Sequence, residues 1–507
     1  MIGAKKLMWY ELPQKQKELY KQLITNFASL SEAFAQKKEN DEEKVAPIVN
    51  SKFQETVFQR SFSAVGEDIA NSSYDASIKT DKGNKYLVGI KAFGINSGDQ
   101  KIAQFKADSA AGDWGEIFKK ISENMKHSST KEEADEKNKD FYMLLAKKIA
   151  RLRNKRISSS EAQLRGFDVL DGDNVEAVYH VLMPSKRGSI PKIFVGETSY
   201  STIDEKNLKI YGATSVKNPK NFKFSDGIHD YKYTSADSQL LMSFHNKSII
   251  VDEWDVNYVQ DAFEVLRNLG NYNITEKEEQ PIESYSWIMY GKNGEMPANS
   301  GFNAWDGKSK LGKEQAKRQF KVFSEQIIKE GNTEKTRKLV DMLQHVMFDK
   351  PLDKSLRKKL LEKLSQFDQE LYKKVQGSIL RPIDELYIPL PNSRKFNEKH
   401  PDFFGKNAGL LASDHKKMAY PVEERKFLLK FMPSGEVMEA FIGQDTGKGI
   451  ESYSDQAIMG RWILQGVFQL NEREPLTREK LNDLHINGIR VKKFEDEKRP
   501  VELEFIW

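Results

Sequence analysis

The sequence predicts an α+β protein of more than one domain, and three observations lead to this class. The chain has 507 residues, which is enough for two or three domains with separate cores. Segments with apolar residues at three- and four-residue spacing alternate with short apolar runs that are typical of strands. A charged stretch at 276–281 separates two such sets of segments and is the best candidate for a domain boundary.

We therefore expect an N-terminal helical segment over 1–48, a mixed α/β domain over 49–275 and a C-terminal β domain over 276–507. Before the boundary, helices are predicted at 13–37, 50–65, 97–106, 114–127 and 141–153, and strands at 74–78, 86–91, 175–182, 192–196 and 207–211. The charged run 128–139 is expected to be a loop, and the Ser158-Ser159-Ser160-Glu161 segment a helix start.

The C-terminal domain is predicted to consist mainly of short strands. They are expected at 285–290, 386–389, 426–431, 437–442, 489–494 and 501–505, with one helix at 460–468. A long helical pattern at 311–380 interrupts these strands and looks like an insertion.

Composition excludes several classes of protein. Hydrophobic residues make up 38% and charged residues 31%, which is too apolar for a disordered chain. There is no apolar run of 18 residues, and the N-terminus lacks a secretory signal, so no membrane span is expected. The absence of cysteine excludes disulfides, thiol catalysis and Cys-ligated zinc. We expect a cytoplasmic protein.

Positive charge is concentrated in one part of the chain. Residues 306–380 contain 18 Lys and Arg against 11 Asp and Glu, a net charge of +7 in a chain whose total is only +5. Such a block indicates a contact surface for a polyanion. A solvated helical face rich in lysine explains the same composition equally well.

Two short predicted strands carry an Asp and a Lys in a suggestive arrangement. Asp75 begins the first strand and Lys91 ends the second, sixteen residues later, with a turn at 81–84 between them. Phosphodiester hydrolysis needs an activated water and stabilisation of charge on the phosphate. A carboxylate-bound Mg²⁺ provides both, and a Lys adds fixed positive charge. The alternative is a surface hairpin with ordinary charges.

The order of elements around Asp75 and Lys91 resembles the PD-(D/E)XK nuclease core of restriction endonucleases. In that family the second strand ends in Glu or Asp, any residue, then Lys, but this chain has Gly89 at the acidic position. The resemblance implies that the missing acid is replaced. Gln104 in the following predicted helix and Glu55 in the preceding one are candidates to complete the Mg²⁺ ligands and the catalytic set, with Glu67 and Asp68 as further options.

Two other motifs permit more than one interpretation. The segment 222–233 interleaves aromatic and charged residues, so it could line a DNA groove or form a hairpin whose aromatics are core. The segment 443–449 looks like a phosphate-binding loop, but it is one residue short and has Gly449 where Ser or Thr must reach Mg²⁺. We therefore predict no NTP hydrolysis by this chain.

The C-terminal domain carries a second resemblance, spread over several segments in order. These segments are 286–305, 387–391, 400–404, 427–436, 441–449, 460–464 and 477–481. Together they resemble the DNA-recognition pseudobarrel of some restriction endonucleases, which is related to the DNA-binding domain of plant auxin-response transcription factors. The resemblance implies a seven-stranded β pseudobarrel over 283–310 and 384–507, interrupted by the 311–380 insertion.

In that fold, two loops enter the major groove of double-stranded DNA. Carried over to this chain, the first arm is 292–310 and the second is 444–461. The residues implied to contact DNA are Lys292, Asn303, Lys308, Lys310, Gln444, Lys448, Ser452, Tyr453 and Arg461. Trp305 and Trp462 are expected to pack in the barrel. Asn and Gln can bond adenine bidentately, and Lys or Arg can bond guanine or phosphate.

Both resemblances together predict a Mg²⁺-dependent, sequence-specific endonuclease of restriction type. Asp75 would bind the metal and Lys91 would orient the water or stabilise the transition state. Cutting both strands implies a homodimer, and a cognate methyltransferase is a possible partner. The competing hypothesis, which Gly89 favours, is a DNA-binding protein or recognition subunit with a degenerate nuclease fold.

Overall fold

The computed structural model describes residues 7–35, 43–66, 74–111, 113–167, 175–268, 281–291, 293–297, 300–329, 331, 333–454, 456–496 and 498–507. These residues form a mixed α+β structure whose strands belong to three sheets, and the third sheet curls into a seven-stranded half-barrel. The predicted α+β class is confirmed at this level. None of the described helices is long and apolar enough to cross a membrane.

The strands follow one another along the chain, and their bounds define the labels used below. They are β1 (Val65–Gly66), β2 (Ala76–Lys79), β3 (Lys85–Ala92), β4 (Gln100–Gln104), β5 (Val175–Pro184), β6 (Lys192–Ser199), β7 (Lys209–Ala213), β8 (Phe222–Ser225), β9 (Asp230–Thr234), β10 (Gln239–Met242), β11 (Ile250–Asp255), β12 (Glu283–Ile288), β13 (Ile388–Pro389), β14 (Lys426–Phe431), β15 (Val437–Gly443), β16 (Gly449–Ser452), β17 (Gly488–Lys493) and β18 (Val501–Ile506).

The helices are named in the same way. They are α1 (Gln14–Ala28), α2 (Ser51–Phe62), α3 (Lys106–Ala111), α4 (Trp114–Lys126), α5 (Lys131–Arg165), α6 (Ala262–Asn268), α7 (Lys313–Lys329), α8 (Glu334–Phe348), α9 (Lys354–Phe367), α10 (Gln369–Ile379), α11 (Ser393–Lys399), α12 (Gln456–Arg461) and α13 (Arg478–Leu484). Short 3₁₀ helices lie at Met8–Tyr10, Ser31–Phe34, Gly301–Asp306 and Val422–Glu424, and a π-helix at Trp462–Val467 follows α12.

The first sheet has the order β1-β2-β3-β5-β6-β11, with β3 and β5 parallel and the other neighbours antiparallel. Side chains alternate between its two faces. Val88 and Ile90 of β3 pack against α1 and α2 on one face. Leu87 of β3 and Tyr179 of β5 face α5 and the second sheet on the other. The first sheet is therefore buried on both faces.

The second sheet is antiparallel throughout, in the order β4-β10-β9-β8-β7. Its first strand, β4, occupies the segment predicted as a helix at 97–106, so that prediction is wrong. Ile102 and Phe105 enter the core, while the backbone between them finds its hydrogen-bond partners on β10. Pairing with a strand more than 130 residues away leaves no mark in the local pattern.

Helix α5 runs without a break through two segments that were predicted otherwise. The run 128–139 is not a loop, since Thr130 caps the helix by accepting a hydrogen bond from the Glu133 amide. Asn138 is buried because its side-chain amide donates to the Ile121 carbonyl on α4. The predicted helix start at Ser158–Ser160 lies inside α5, where the Ser159 hydroxyl donates to the carbonyl of Val467.

The third sheet has the order β12-β17-β18-β14-β15-β16-β13. Six of its strands overlap the positions predicted for the C-terminal region, β16 was not predicted, and the helix predicted at 460–468 is present as α12 and the π-helix. Helices α7 to α10 confirm the helical pattern at 311–380 and enclose a core of their own around Leu343, Leu360 and Leu364. The polypeptide thus leaves the sheet after β12, builds four helices and returns at β13.

The C-terminal part of α5 packs directly on the third sheet's own helices. The indole Nε1 of Trp462 donates to the Ala162 carbonyl at 2.7 Å. Phe167, just beyond α5, lies edge-on to Trp462 and Phe431. Trp462 is thus core, as predicted, and the three sheets are held by one long helix.

The N-terminal 3₁₀ helix covers a buried carboxyl group on the first sheet. Glu197 of β6 is 3% exposed, and its Oε2 accepts a hydrogen bond from the Trp9 amide at 2.9 Å. Its Oε1 has no hydrogen-bond partner among the described residues. Burial raises the pKa of Glu197 from its ordinary 4.5 to about 7. The neutral form is therefore the one that the fold accommodates.

This raised pKa predicts a pH-dependent loss of stability. The folded state holds the Glu197 proton up to about pH 7, whereas the unfolded chain releases it near pH 4.5. Glu197 therefore stabilises the fold below about pH 4.5, and this contribution is lost as the pH rises towards 8, on the order of 3 kcal/mol in all. We expect Glu197→Gln to melt at a higher temperature than wild type at pH 8, with the difference disappearing near pH 5. Equal shifts at both pH values would contradict the assignment.

Candidate nucleic-acid interface

Asp75 lies at the open end of the β2–β3 hairpin, as the sequence predicted. Its amide donates to the Val88 carbonyl at 3.0 Å, and its carboxylate Oδ2 accepts from the Ile90 amide at 2.6 Å. Because Ala76 pairs with Val88, Asp75 stands opposite Gly89. The carboxylate thus replaces a backbone carbonyl and extends the ladder by one bond.

The space beside Gly89 is filled by aromatic rings. A Cβ atom at Gly89 would lie 2.8 Å from Cδ1 of Tyr179 and 3.1 Å from Cε1 of Tyr200. These two rings stack with their centroids 3.9 Å apart, and the buried guanidinium of Arg153 lies 4.8 Å from the Tyr200 ring. Glycine is therefore required here by packing, and an acidic side chain does not fit.

Of the other predicted catalytic residues, Lys91 lies near Asp75, whereas Glu55 and Gln104 lie on other elements. Lys91 lies two residues beyond Gly89 on the same face of β3 and is half-buried. Glu55 is on α2, which packs against the opposite face of the sheet, and it pairs with Lys52 at 3.1 Å. Gln104 is on β4 of the second sheet, where its amide contacts Lys101 and the Asp237 carbonyl.

The donors around the hairpin limit which metal ion could bind there. Glu67 and Asp68 lie outside the described residues. Among those that are described, no group of three or more acidic, histidine or cysteine side chains could hold a metal ion. Asp75 offers one carboxylate that already accepts a backbone hydrogen bond. The described residues around the hairpin do not fit a Mg²⁺ site.

The structure brings the two predicted arms together, because parts of both line one cavity in the C-terminal region. This cavity, which we call the arm cleft, has a volume of about 820 Å³. Its walls come from four separate stretches of chain. They contribute Ser300, Asn303, Ala304, Gly307, Lys308 and Lys310 from the first arm, Lys350, Pro351, Leu352 and Lys354 from the α8–α9 turn, Arg381, Glu385, Leu386 and Tyr387 before β13, and Gln444 and Glu451 from the second arm.

Positive charge exceeds negative charge on these walls. The cations are Lys308, Lys310, Lys350, Lys354 and Arg381, and the carboxylates are Glu385 and Glu451. Glu385 is shared, since it lies 3.0 Å from the Lys310 ammonium and 2.8 Å from the Arg381 guanidinium. The arm cleft therefore keeps a net positive charge after its internal ion pairs are formed.

The helical insertion supports the first arm from behind. The buried guanidinium of Arg357 on α9 donates to the backbone carbonyls of Asp306 and Gly307. The Lys354 ammonium lies 2.7 Å from the Asp306 carboxylate, and the Lys308 ammonium reaches the Asp349 carbonyl. These contacts fix the end of the first arm against the α8–α9 turn. Trp305 also packs on the insertion's core rather than in the barrel.

Two predicted contact residues also have structural surroundings. The Asn303 side chain bonds the backbone of Leu476, since its Oδ1 accepts from the Leu476 amide at 2.8 Å and its Nδ2 donates to the Leu476 carbonyl at 3.1 Å, and it lines the arm cleft. Ser452 on β16 is 2% exposed, so its hydroxyl does not reach the surface and is not available to bases without a rearrangement. Lys292 lies outside the described residues.

The remaining second-arm residues are accessible but are spread out. Gln444 lines the arm cleft and is exposed, with its amide donating to the Glu451 carboxylate at 3.2 Å. Lys448 pairs with Asp445 and lines a neighbouring cavity that shares Tyr387 as a wall. Tyr453 is stacked under the Lys426 ammonium, and Arg461 lies 3.9 Å from Asp384.

Sequence reasoning did not single out three cations of the arm cleft. Lys350, Lys354 and Arg381 belong to the basic block or its border, whose charge was noted without any indication of which members face the arms. Their position follows from the fold of the insertion. The sequence feature that pointed to them was the excess of positive charge in the block between the two arms.

No protein-family model matches the chain, and no curated protein sequence matches it.

The packing around Gly89 yields a direct test of the hairpin. Introducing an acid with Gly89→Glu should destabilise the fold, because the new side chain must displace Tyr179 or be buried as an unpaired charge. We expect a loss of at least about 3 kcal/mol in the free energy of unfolding, measured by urea denaturation. A variant as stable as wild type would show that the tyrosines leave room for a metal-binding acid.

Proposed function

We propose that this protein binds double-stranded DNA through the arm cleft and reads sequence there. The observation that carries the proposal is the convergence of five cations, from three separate stretches of chain, on one concave surface with two carboxylates. Of these cations, only Lys354 has a further acidic partner within the described part of the chain, Asp306. Concave surfaces of one sign concentrate the field that attracts a polyanion. Lysines on such a surface contact phosphates and release the counterions condensed on DNA.

The arm cleft also offers a side chain suited to reading bases. Gln444 is exposed at the start of the second arm, and its contact with Glu451 orients its amide. A glutamine amide can bond the N6 and N7 edge of adenine in the major groove. Lysines of the first arm line the same cleft. The arrangement supports phosphate contacts that position the duplex around one base-reading amide.

The lysine contacts predict a salt-dependent loss of affinity. Lys310 and Lys350 are exposed, so their replacement should leave the fold intact. For Lys310→Gln/Lys350→Gln we expect DNA affinity to fall roughly tenfold at low salt, and the slope of log affinity against log salt to decrease by about 2. Fluorescence anisotropy at several salt concentrations measures both quantities.

The matched control is Lys119→Gln/Lys126→Gln, which removes the same charge from exposed positions on α4. This control should bind as wild type does. If both double variants lose affinity equally, net charge rather than the arm cleft governs binding, and the proposal fails.

The sequence resemblance also predicts that the protein cleaves the bound DNA, that Mg²⁺ is its cofactor and that it forms a homodimer. These three points stay predictions. A supercoiled plasmid incubated with Mg²⁺ or with EDTA tests it. Because Asp75 is committed to the Ile90 amide and Gly89 is enclosed by tyrosines, we expect binding without nicking. Mg²⁺-dependent nicking that disappears in Asp75→Ala and in Lys91→Ala would instead establish the endonuclease. Loss of nicking in Glu67→Ala or Asp68→Ala would then identify the missing acid.

A further inference from the structure

The second sheet has one buried face and one exposed face, and they differ sharply in chemistry. Phe222, Phe224, Tyr231 and Tyr233 all point into the core, which settles the role of these aromatics in the 222–233 segment. Their neighbours along β8 and β9 point outward. The exposed face therefore carries the charged residues of the segment, while the rings are on the buried face. Among the described residues, α5 packs on the inner face but no helix covers the exposed one.

Three lysines lie in one row across this exposed face. The register pairs Gly212 with Lys223, Lys223 with Lys232, Lys232 with Leu241 and Leu241 with Lys101. Adjacent strands are about 4.8 Å apart, so Lys223 and Lys232 are direct neighbours and Lys101 stands two strands away. Tyr211, the bulged residue of β7, is 49% exposed at the end of the row.

The Lys223–Lys232 pair is unfavourable for the isolated protein. Like charges directly opposite each other on a sheet destabilise it. Neither ammonium forms an ion pair within the described part of the chain, and Lys101 contacts only the neutral Gln104 amide. Asp230, two residues before Lys232 on the same face of β9, and Asp99 line a cavity together with Lys223, and Asp230 lies 3.7 Å from His245. Within the described part of the chain neither carboxylate pairs with Lys223 or Lys232, so the chain offsets the repulsion only in part.

We propose that this row, Lys101, Lys223 and Lys232, binds the phosphate backbone of duplex DNA outside the segment held in the arm cleft. The inference rests on the proposed function. Charge complementarity selects the occupant, because a polyanion removes the repulsion between the two facing lysines. The surface also belongs to the same rigid unit as the barrel, since Arg156 donates to the Gln104 carbonyl of β4 and to the Asp483 carbonyl of α13.

The test compares a short and a long duplex. Lys223→Gln/Lys232→Gln should bind a duplex of about 12 base pairs, roughly one helical turn, as wild type does. It should bind a duplex of about 40 base pairs roughly 10-fold more weakly at about 50 mM salt, with the salt slope reduced by about 2. The same variant should melt at a slightly higher temperature than wild type at low salt, because a repulsive pair has been removed.

A charge-conserving variant separates charge from shape. Lys223→Arg/Lys232→Arg should bind the long duplex as wild type does. The α4 control Lys119→Gln/Lys126→Gln should also bind it with unchanged affinity. Unaltered binding of the long duplex by the glutamine variant overturns the inference while leaving the arm cleft intact. Equal weakening on both duplexes, or weakening by the arginine variant, overturns it as well. Failure of wild type to bind either duplex instead removes the proposed function.

Discussion

The buried guanidinium of Arg156 on α5 is the constraint on which the arrangement of the two halves depends. Its five donors need partners once they are removed from water. They find the Asp108 carboxylate after β4, the Gln104 carbonyl on β4 and the Asp483 carbonyl on α13. Burial lowers the pKa of Arg156, and the adjacent Asp108 opposes that shift. Displacing α13 would leave the buried Nε–H donor of Arg156 without its partner, the Asp483 carbonyl, so this hydrogen bond holds α13 against α5.

The spacing of apolar residues was sufficient to predict an element where its partners are close in sequence or where the apolar pattern is strong. Six strands of the third sheet and the helical pattern of the insertion were predicted from local pattern alone, since their apolar residues repeat clearly, whereas β16 was not predicted. Two of the errors share one cause. The Ser159 hydroxyl bonds a carbonyl 308 residues away, and β4 is a strand because β10 pairs with it. Such long-range partners are invisible in a local window. The error at 128–139 is different, because the Thr130 cap that begins α5 there is local.

The candidate site residues also divide into those that local motifs indicated and those that depend on packing between distant segments. Lys308, Lys310 and Gln444 were found through motifs in the arms, and the structure brings all three to one cavity. The Asp75–Lys91 spacing was read correctly as a hairpin, but the sequence could not reveal that Tyr179 and Tyr200 occupy the space beside Gly89. Whether a position can accept a metal-binding acid is decided by residues about 90 and 110 positions away, whose contact with it only the fold determines.

Excess charge alone does not identify a DNA surface, and the basic block shows why. On its helices, lysines pair with acids one turn away, as in Lys317–Glu314, Lys338–Glu334 and Lys374–Glu370. Exposed pairs of this kind are typical of a solvated helical face and contribute little. The cations of the arm cleft differ because they come from distant stretches and share too few acids. A concave wall that the fold assembles with unbalanced charge attracts counterions from outside the chain, and under the proposed function the phosphates of DNA would take their place.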